Sequence, residues 1–306
     1  MDTDSAPLVS VIIPTYNRAL TLPRAMNSVL QQGYKNLELL VIDDGSKDNT
    51  DEVMATFTDP RIRYVKMERN QGQSAARNQG MRLAKGDFIA FQDSDDEWLS
   101  GKLEKMVAGA LGAGTSDVAV FHSRIVYGRD EARVYGVGRA CCVPRLPPAT
   151  GERDFVKISH QQNLISPQTL MISRSIFEKV GFWDKLLKTS VDWDYSLRVV
   201  NQAKMVFIEE PLVMAYIQDD SISVLRGNRV RSQLRILLKL QRQPGVDPGV
   251  LGDHFARVGM DFGRIGKPRM GRKVIWRSIQ LAPTLKNWAR LFVTIAKGFA
   301  PKAARA

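Results

Sequence analysis

The sequence predicts an α/β fold: a mostly parallel sheet flanked by helices, followed by a C-terminal helical extension. Short apolar runs alternate with helical patterns from Val9 to Ile208, the alternation that produces parallel sheets covered on both faces. Several of those runs end directly in polar or acidic residues, and open α/β sheets gather their ligands where strands end. From residue 226 onward the chain turns basic and its apolar residues take helical spacing. These observations divide it into residues 1–225, which carry the sheet, and 226–306, a basic helical region.

Val9 to Ile13 forms an apolar strand ended by Pro14, and Thr15, Tyr16, Asn17 and Arg18 make a polar loop at its carboxyl end. Thr21 is placed to cap the next helix, with Pro23 in the first turn and Leu22, Met26, Val29 and Leu30 on one face. A second strand, Leu37 to Ile42, delivers Asp43 and Asp44 into Gly45-Ser46 ahead of a helix carrying Val53 and Phe57. Ile62 to Val65 is a third strand, and Asn70-Gln71-Gly72 leads into a helix that begins near Gln73 and carries Arg77 and Asn78. Phe88 to Phe91 is apolar throughout, as in a strand buried on both faces, and it runs into Asp93, Asp95 and Asp96. Val118 to Phe121 follows. Val126 to Ser159, with Pro144, Pro147 and Pro148, reads as a long irregular excursion of the kind that often forms a lid. Ser173 opens a helix closed by Gly181, Asp192-Trp193-Asp194 opens another that reaches about Ala203, and Met205 to Ile208 is the last clear strand.

The totals exclude several classes. The 306 residues are 44% hydrophobic, enough for a large core. Met1 to Pro7 is short, acidic and polar, so no signal peptide is expected, and no run approaches the roughly 18 apolar residues of a membrane span. Cys141 and Cys142 are adjacent and the chain has no other cysteine, which is too few for a disulfide scaffold and fits a reducing cytoplasm. The net charge of +12 is unevenly placed: residues 226–306 hold 18 lysines and arginines against three aspartates, while residues 1–225 hold 26 basic and 29 acidic side chains. Such asymmetry points to a basic appendage that meets an anionic surface. Nucleic acid is disfavoured, because the first part is net acidic and the tail lacks a reader motif.

Asp93 and Asp95, two apart at a strand end, are spaced to share a cation, since crowded carboxylates raise one another's pKa unless a cation or donor compensates. Oxygen ligands suit magnesium or manganese. An acidic turn in which Asp95 or Asp96 caps a helix explains the same residues. The Gly-rich phosphate loops are absent: there is no GxxxxGK[ST], and Gly136-Val137-Gly138 continues to Cys141 where glycine is required. Asp192 and Asp194 suit a helix N-terminus through the macrodipole, and a carboxylate on a rigid element facing a cleft also suits a general base. His122 and His160 lack a second histidine at ligand spacing and are expected to be structural. Trp98, Trp183 and Trp193 flank the motifs, either to stack on a sugar or to pack the core.

The segments VSVIIPTYNR, VIDDGS, NQGQSAARNQG, FQDSDD and VDWDYSLR, in this order, resemble family 2 glycosyltransferases of the Rossmann-like GT-A fold over about residues 8–215. The resemblance implies an enzyme of the hexosyltransferase type. It would move a sugar from a nucleotide sugar, often UDP-linked, to a glycan or lipid-linked acceptor with inversion, helped by Mg2+ or Mn2+. It also implies residue roles. Pro14, Thr15 and Tyr16 would line the base and ribose pocket, with Asp44 reading the base edge and Arg77 nearby. Within the DxD motif Asp93 would lie near the ribose and Asp95 would bind the metal, and Asp192 would be the catalytic base. The residue before Asp192 is Val191, where the family pattern has Glu, which removes any accessory glutamate. The alternative is an inactive nucleotide-sugar-binding scaffold at a membrane.

The last helical segment places Trp288, Leu291, Phe292, Ile295 and Phe299 in one sector of a helical wheel, with Lys286, Arg290 and Lys297 opposite. Such a helix lies in an anionic membrane surface or packs on the catalytic domain or on a second copy of the chain. The first reading places the chain in the cytoplasm and on the inner membrane face, in keeping with envelope polysaccharide biosynthesis.

Overall fold

The structure, a computed structural model, describes residues 6–127, 140–144, 146, 153–216 and 226–299. It divides into two units: Met1–Val156 with Asn163–Leu186 and Asp192–Ser221, and Lys157–Gln162 with Leu187–Val191 and Ile222–Ala306.

In chain order the elements are β1 (Val9–Thr15), α1 (Leu22–Leu30), β2 (Leu37–Asp43), α2 (Thr50–Ala55), β3 (Ile62–Lys66), α3 (Gln73–Leu83) and β4 (Phe88–Phe91). Then come β5 (Glu97–Trp98), α4 (Lys102–Leu111), β6 (Val118–Tyr127), β7 (Ala140–Val143) and α5 (Phe155–Gln161). A 3-10 turn (Pro167–Thr169), β8 (Leu170–Ser173), α6 (Arg174–Val180), α7 (Val191–Val200) and β9 (Lys204–Tyr216) follow. Among the described residues the strands form one sheet in the order β3-β2-β1-β4-β8-β6-β9-β5, with β7 paired to β6. The β3-β2-β1-β4 part is parallel, as is β6 with β9, and β8 enters antiparallel between β4 and β6.

β1 lies between β2 and β4 and every one of its seven residues is buried, which is why it reads as a continuous apolar run rather than an alternating one. Pro14 is tolerated there for a specific reason. Thr15 O accepts Asp44 N–H at 2.8 Å on the β2 side, so by strand alternation Pro14 turns its missing N–H toward β4. The β4 ladder ends there, its pairing stopping at Ile12 with Phe91. On one face α3 packs so close to β1 that a Cβ on Gly80 would stand 2.5 Å from Ile12 Cγ2. Asn78 secures the same helix to the segment after α6: its Nδ2 donates to Trp183 O at 2.9 Å and its Oδ1 accepts Trp183 N–H at 2.8 Å.

Several expectations change. Thr21 makes no side-chain cap, although Pro23 does stand in the first turn of α1; instead the backbone N–H groups of Thr21 and Leu22 donate to Arg18 O. The excursion read from Val126 to Ser159 contains β7, which carries Cys141 and Cys142, and the start of α5. Residues 128–139 and 147–152, including the Gly136-Val137-Gly138 run, lie outside the described residues. β9 runs past Ile208 to Tyr216 because its pairing with β6 shifts register between His122 and Ile125; Glu209 and Glu210 are left over between the His122–Ile208 and Ser123–Pro211 pairs. Those two acids point outward to Arg153 and Lys105, at 2.6 Å each.

The second unit holds four long helices, α8 (Arg226–Leu240), α9 (Pro248–Arg264), α10 (Pro268–Leu281) and α11 (Leu285–Phe299). Ile236, Leu237, Leu251, Phe255, Phe262, Ile275 and Ile279 form its buried interior. α9 and α10 cross at glycines: a Cβ on Gly271 would meet Gly259 O at 2.5 Å. Asp247 caps α9 by accepting Gly249 N–H at 2.7 Å.

Replacing Asn78 with Ala strips both backbone partners from the buried Trp183. Each lost partner costs about 1–3 kcal/mol, so Asn78→Ala is expected to lower unfolding free energy by about 2–4 kcal/mol in urea titration, with the m-value unchanged.

Candidate functional site

The parallel strands bring three chain segments to one edge. Thr15 pairs with Asp43 across the β1–β2 ladder, Asp44 N–H donates to Thr15 O, and Gln92 N–H donates to Ile12 O at 3.0 Å. Residues 14–16, 43–44 and 92–96 therefore meet at the carboxyl ends of β1, β2 and β4. Pro14 and Thr15 are buried and Tyr16 stands at the rim, 38% exposed. Among the described residues, Thr15 Oγ1 and both amide atoms of Gln92 are buried and meet no hydrogen-bond partner.

The two aspartates after β2 have separate tasks. Asp43 is fully buried; its Oδ1 accepts Ser46 N–H and Oγ–H and its Oδ2 accepts the Tyr64 hydroxyl at 2.8 Å. Asp44 accepts the backbone N–H groups of Gln71 and Gly72, one on each oxygen at 2.7 Å. Burial raises the pKa of Asp44, and those two donors partly offset the rise. Through this carboxylate the loop that begins α3 is drawn onto the site.

The acid cluster after β4 is compensated residue by residue. Asp93 accepts from Arg77 at 2.6 Å, and the Arg77 side chain, 2% exposed, also donates to Gln73 Oε1 at 2.8 Å and lies 5.2 Å from the Trp183 ring. Asp95 has Arg18 Nε at 3.8 Å from its carboxylate and Arg24 donating to its backbone carbonyl at 2.6 Å. Asp96 is buried; it accepts Gln168 Nε2 at 2.8 Å and Tyr216 N–H at 3.0 Å. Burial, then the charges of Asp93 and Asp95, push the Asp96 carboxyl well above the usual range. Asp93 and Asp95 are each about a quarter exposed, at 26% and 25% of the side chain.

Asp192, in the first turn of α7, accepts Asn163 Nδ2–H at 2.6 Å. Burial raises its pKa, with the nearby Arg124 guanidinium, the Trp193 N–H and Asn163 working against the rise. Two observations link this carboxylate to the acid cluster. Arg124 lies within electrostatic range of both Asp192 and Asp96. The segment whose Asn163 holds Asp192 also supplies Gln168 to Asp96, and five residues span at most about 17 Å.

Chemically, the edge offers buried walls for a planar ring, two partly exposed carboxylates two residues apart, and a third carboxyl of raised basicity across Arg124. Among the described residues no group of three or more His, Cys, Asp or Glu side chains converges to hold an ion. One or two carboxylates still fit magnesium or manganese, ions that fill their remaining positions with water and substrate phosphates.

Of the residues expected from sequence, Pro14, Thr15, Tyr16, Asp44, Asp93 and Asp95 stand at the carboxyl ends of β1, β2 and β4, Arg77 reaches Asp93, and Asp192 stands on α7 with Arg124 in electrostatic range. Sequence reasoning missed Arg18, Arg24, Lys102, Arg124 and Gln168. Arg24 lies 4.0 Å over the Tyr216 ring. Lys102 is fully buried, donates to Gln168 O at 2.5 Å and sits 3.9 Å from the Trp98 ring, and burial pushes its pKa well down. Its signal was present: it precedes Met106 and Ala110 on the apolar stripe of α4. His122 is structural, buried with Nδ1 against Ser123 O at 2.6 Å. Trp183 is buried, stacked on Tyr195 with ring centroids 4.0 Å apart, so the core-packing reading holds for it.

Over 214 residues the chain is 30% identical to an uncharacterised glycosyltransferase of Rickettsia typhi, a match covering 70% of this chain and 65% of that relative, just under two thirds of its length. Over 104 residues it is 46% identical to the UDP-Glc:alpha-D-GlcNAc-diphosphoundecaprenol beta-1,3-glucosyltransferase WfgD of Escherichia coli, covering 34% and 41% of the two chains. In fold it is similar to S. aureus TarS 1-349, with a TM-score of 0.66 at 19% identity over 94% of this chain and 87% of that one. The mannosyltransferase PcManGT of Pyrobaculum calidifontis, solved with GDP-Man and Mn2+, gives a TM-score of 0.60 at 17% identity over 98% and 83%. Residues 10–181 match the model of glycosyl transferase family 2, and by that match over more than half its length the chain belongs to this family.

Proposed function

We propose that the chain is an inverting glycosyltransferase that moves a sugar from a nucleotide diphosphate sugar, probed first as a UDP sugar, to a glycan or lipid-linked acceptor. The observation that carries this reading is the pairing of partly exposed carboxylates after β4 with the raised carboxyl of Asp192, joined through Arg124 and the 163–168 segment. The donor and acceptor classes follow the name of the E. coli relative and the nucleotide-sugar complex of the Pyrobaculum neighbour.

In this reading Pro14, Thr15 and Tyr16 form the wall against which base and ribose rest, and Asp44 shapes the far side of that pocket through the Gln71–Gly72 backbone. Arg77 fixes Asp93 toward the ribose. Asp95 would hold Mg2+ or Mn2+, which supplies Lewis-acid neutralisation of the departing diphosphate. Asp192 accepts the proton of the acceptor hydroxyl as that oxygen bonds to the anomeric carbon and the nucleoside diphosphate leaves. Asn163 orients the carboxylate, and burial makes it a stronger base than an exposed aspartate. An inactive scaffold has no use for a base so placed.

Asp192→Asn is expected to lower kcat by roughly 10²- to 10⁴-fold while leaving UDP affinity within a factor of about two of the parent; sugar transfer at the parent rate removes Asp192 from the mechanism. The pH profile follows from the sign of its shift. A carboxyl raised by burial stays protonated to higher pH, so the acid limb of kcat is expected above the ordinary aspartate range of about 3.9, and the residual activity of Asp192→Asn is expected to lack that limb. For Asp95→Ala, calorimetry with and without manganese is expected to lose the metal-dependent part of UDP binding; binding that keeps its manganese dependence makes the acid cluster structural.

A further inference from the structure

The last helix of the second unit packs with its polar side inward. In α11 the buried residues include Asn287 at 1% and Thr294 at 3% exposure, and Arg290 reaches inward to Asp253 at 2.9 Å and Asn287 Oδ1 at 3.0 Å. Thr294 Oγ1 donates toward Met260 Sδ at 3.4 Å. Four of its large apolar residues face out, Leu285 at 89% exposure, Phe292 at 64%, Val293 at 42% and Trp288 at 37%, while Leu291 and Ile295 are half-buried. Water-facing helices show the reverse arrangement.

The outward face continues onto α10. The Trp276 ring meets the Trp288 ring edge-on at 5.9 Å, and Trp276 and Met270 are themselves about half exposed. Around these apolar groups stand Arg269, Lys273 and Arg277 of α10 and Lys286 of α11, all exposed. Neither helix contains a single Asp or Glu. Asp253 of α9 is paired with Lys286 and Arg290.

We propose that the joined outer faces of α10 and α11 dock on an anionic lipid bilayer, with Leu285, Trp288, Phe292 and Trp276 in the headgroup and acyl boundary and the surrounding lysines and arginines on lipid phosphates. Charge selects this occupant. A second copy would bring a face of the same positive sign against the first, which opposes association, whereas anionic headgroups attract basic side chains over about a Debye length and indole rings settle at the membrane interface. No helix among the described residues is long and apolar enough to cross a membrane, so α11 lies in the surface. The side chains of Lys297 and Phe299 lie outside the described residues, and the surface does not need them. This inference is independent of the catalytic reading, because it uses none of the site residues.

The test is flotation of the full chain with vesicles of phosphatidylcholine alone and of phosphatidylcholine mixed with phosphatidylglycerol. Binding to the mixed vesicles, weakened by added salt and accompanied by a blue shift of tryptophan emission, is expected. The double substitution Trp288→Ser with Phe292→Ser removes exposed rings and is expected to keep the parent melting profile while cutting vesicle partitioning by about tenfold or more. A second pair, Arg269→Gln with Lys273→Gln, is expected to lose the preference for phosphatidylglycerol without touching an apolar contact. Failure of the full chain to float with the mixed vesicles overturns the proposal. So does flotation that survives both pairs, or a concentration-dependent dimer that Phe292→Ser dissolves.

Discussion

Three carboxylates at the end of one buried strand set the terms for the rest of the sheet-bearing unit. Carboxyl groups so close oppose one another's ionisation, and burial raises the cost further. Each acid is met from a different direction: Asp93 by Arg77 of α3, Asp95 by Arg18 and by Arg24 of α1, Asp96 by Gln168 of the 3-10 turn and the Tyr216 N–H of β9. The need to compensate this charge therefore ties together the helices on either side of β1 and the antiparallel part of the sheet. It also accounts for an arginine buried almost completely inside a helix. Arg77 is 2% exposed, and Asp93 and Gln73 take the place of water on its two terminal nitrogens.

Hydrogen-bond partners separate two carboxyls that burial alone treats alike. Asp96 and Asp192 are both raised by burial. Asp96 spends one oxygen on Gln168 and the other on a strand N–H, which makes it a structural acid. Asp192 is oriented by Asn163 at the first turn of a helix, where the macrodipole favours the charged form, the form that its proposed role as base requires. Lys102 belongs with Asp96. Its Nζ lies over Trp98 and donates to Gln168 O, so the residue that steadies Asp96 is itself held by a buried side chain.

The second unit follows a different rule. Its interior is built by α8, α9 and α10 with ordinary apolar stripes, and glycines at the α9–α10 crossing allow close approach. α11 joins through Asn287, Arg290 and Thr294, so hydrogen bonds and an ion pair to Asp253 hold it where burial of its aromatic residues would normally do so. A helix attached by its polar side keeps its apolar side in reserve. That arrangement gives the excess positive charge of residues 226–306 a surface on which to act.

The sequence by itself determined the strand and helix order through β4 and the gathering of Thr15, Asp44 and Asp93 at strand ends, because these follow from periodicity and from parallel-sheet geometry. It misjudged β9, whose course past Ile208 depends on a register shift against β6, and it had no means of finding β8, four residues that become a strand only by lying between β4 and β6. Only the tertiary structure decided which acid meets which partner. Asp96 is joined to residues 72 and 120 positions away, and no spacing rule reaches that far. It also decided which face of α11 turns outward: a hydrophobic period marks an apolar side, but whether that side is covered depends on what else the fold has already packed.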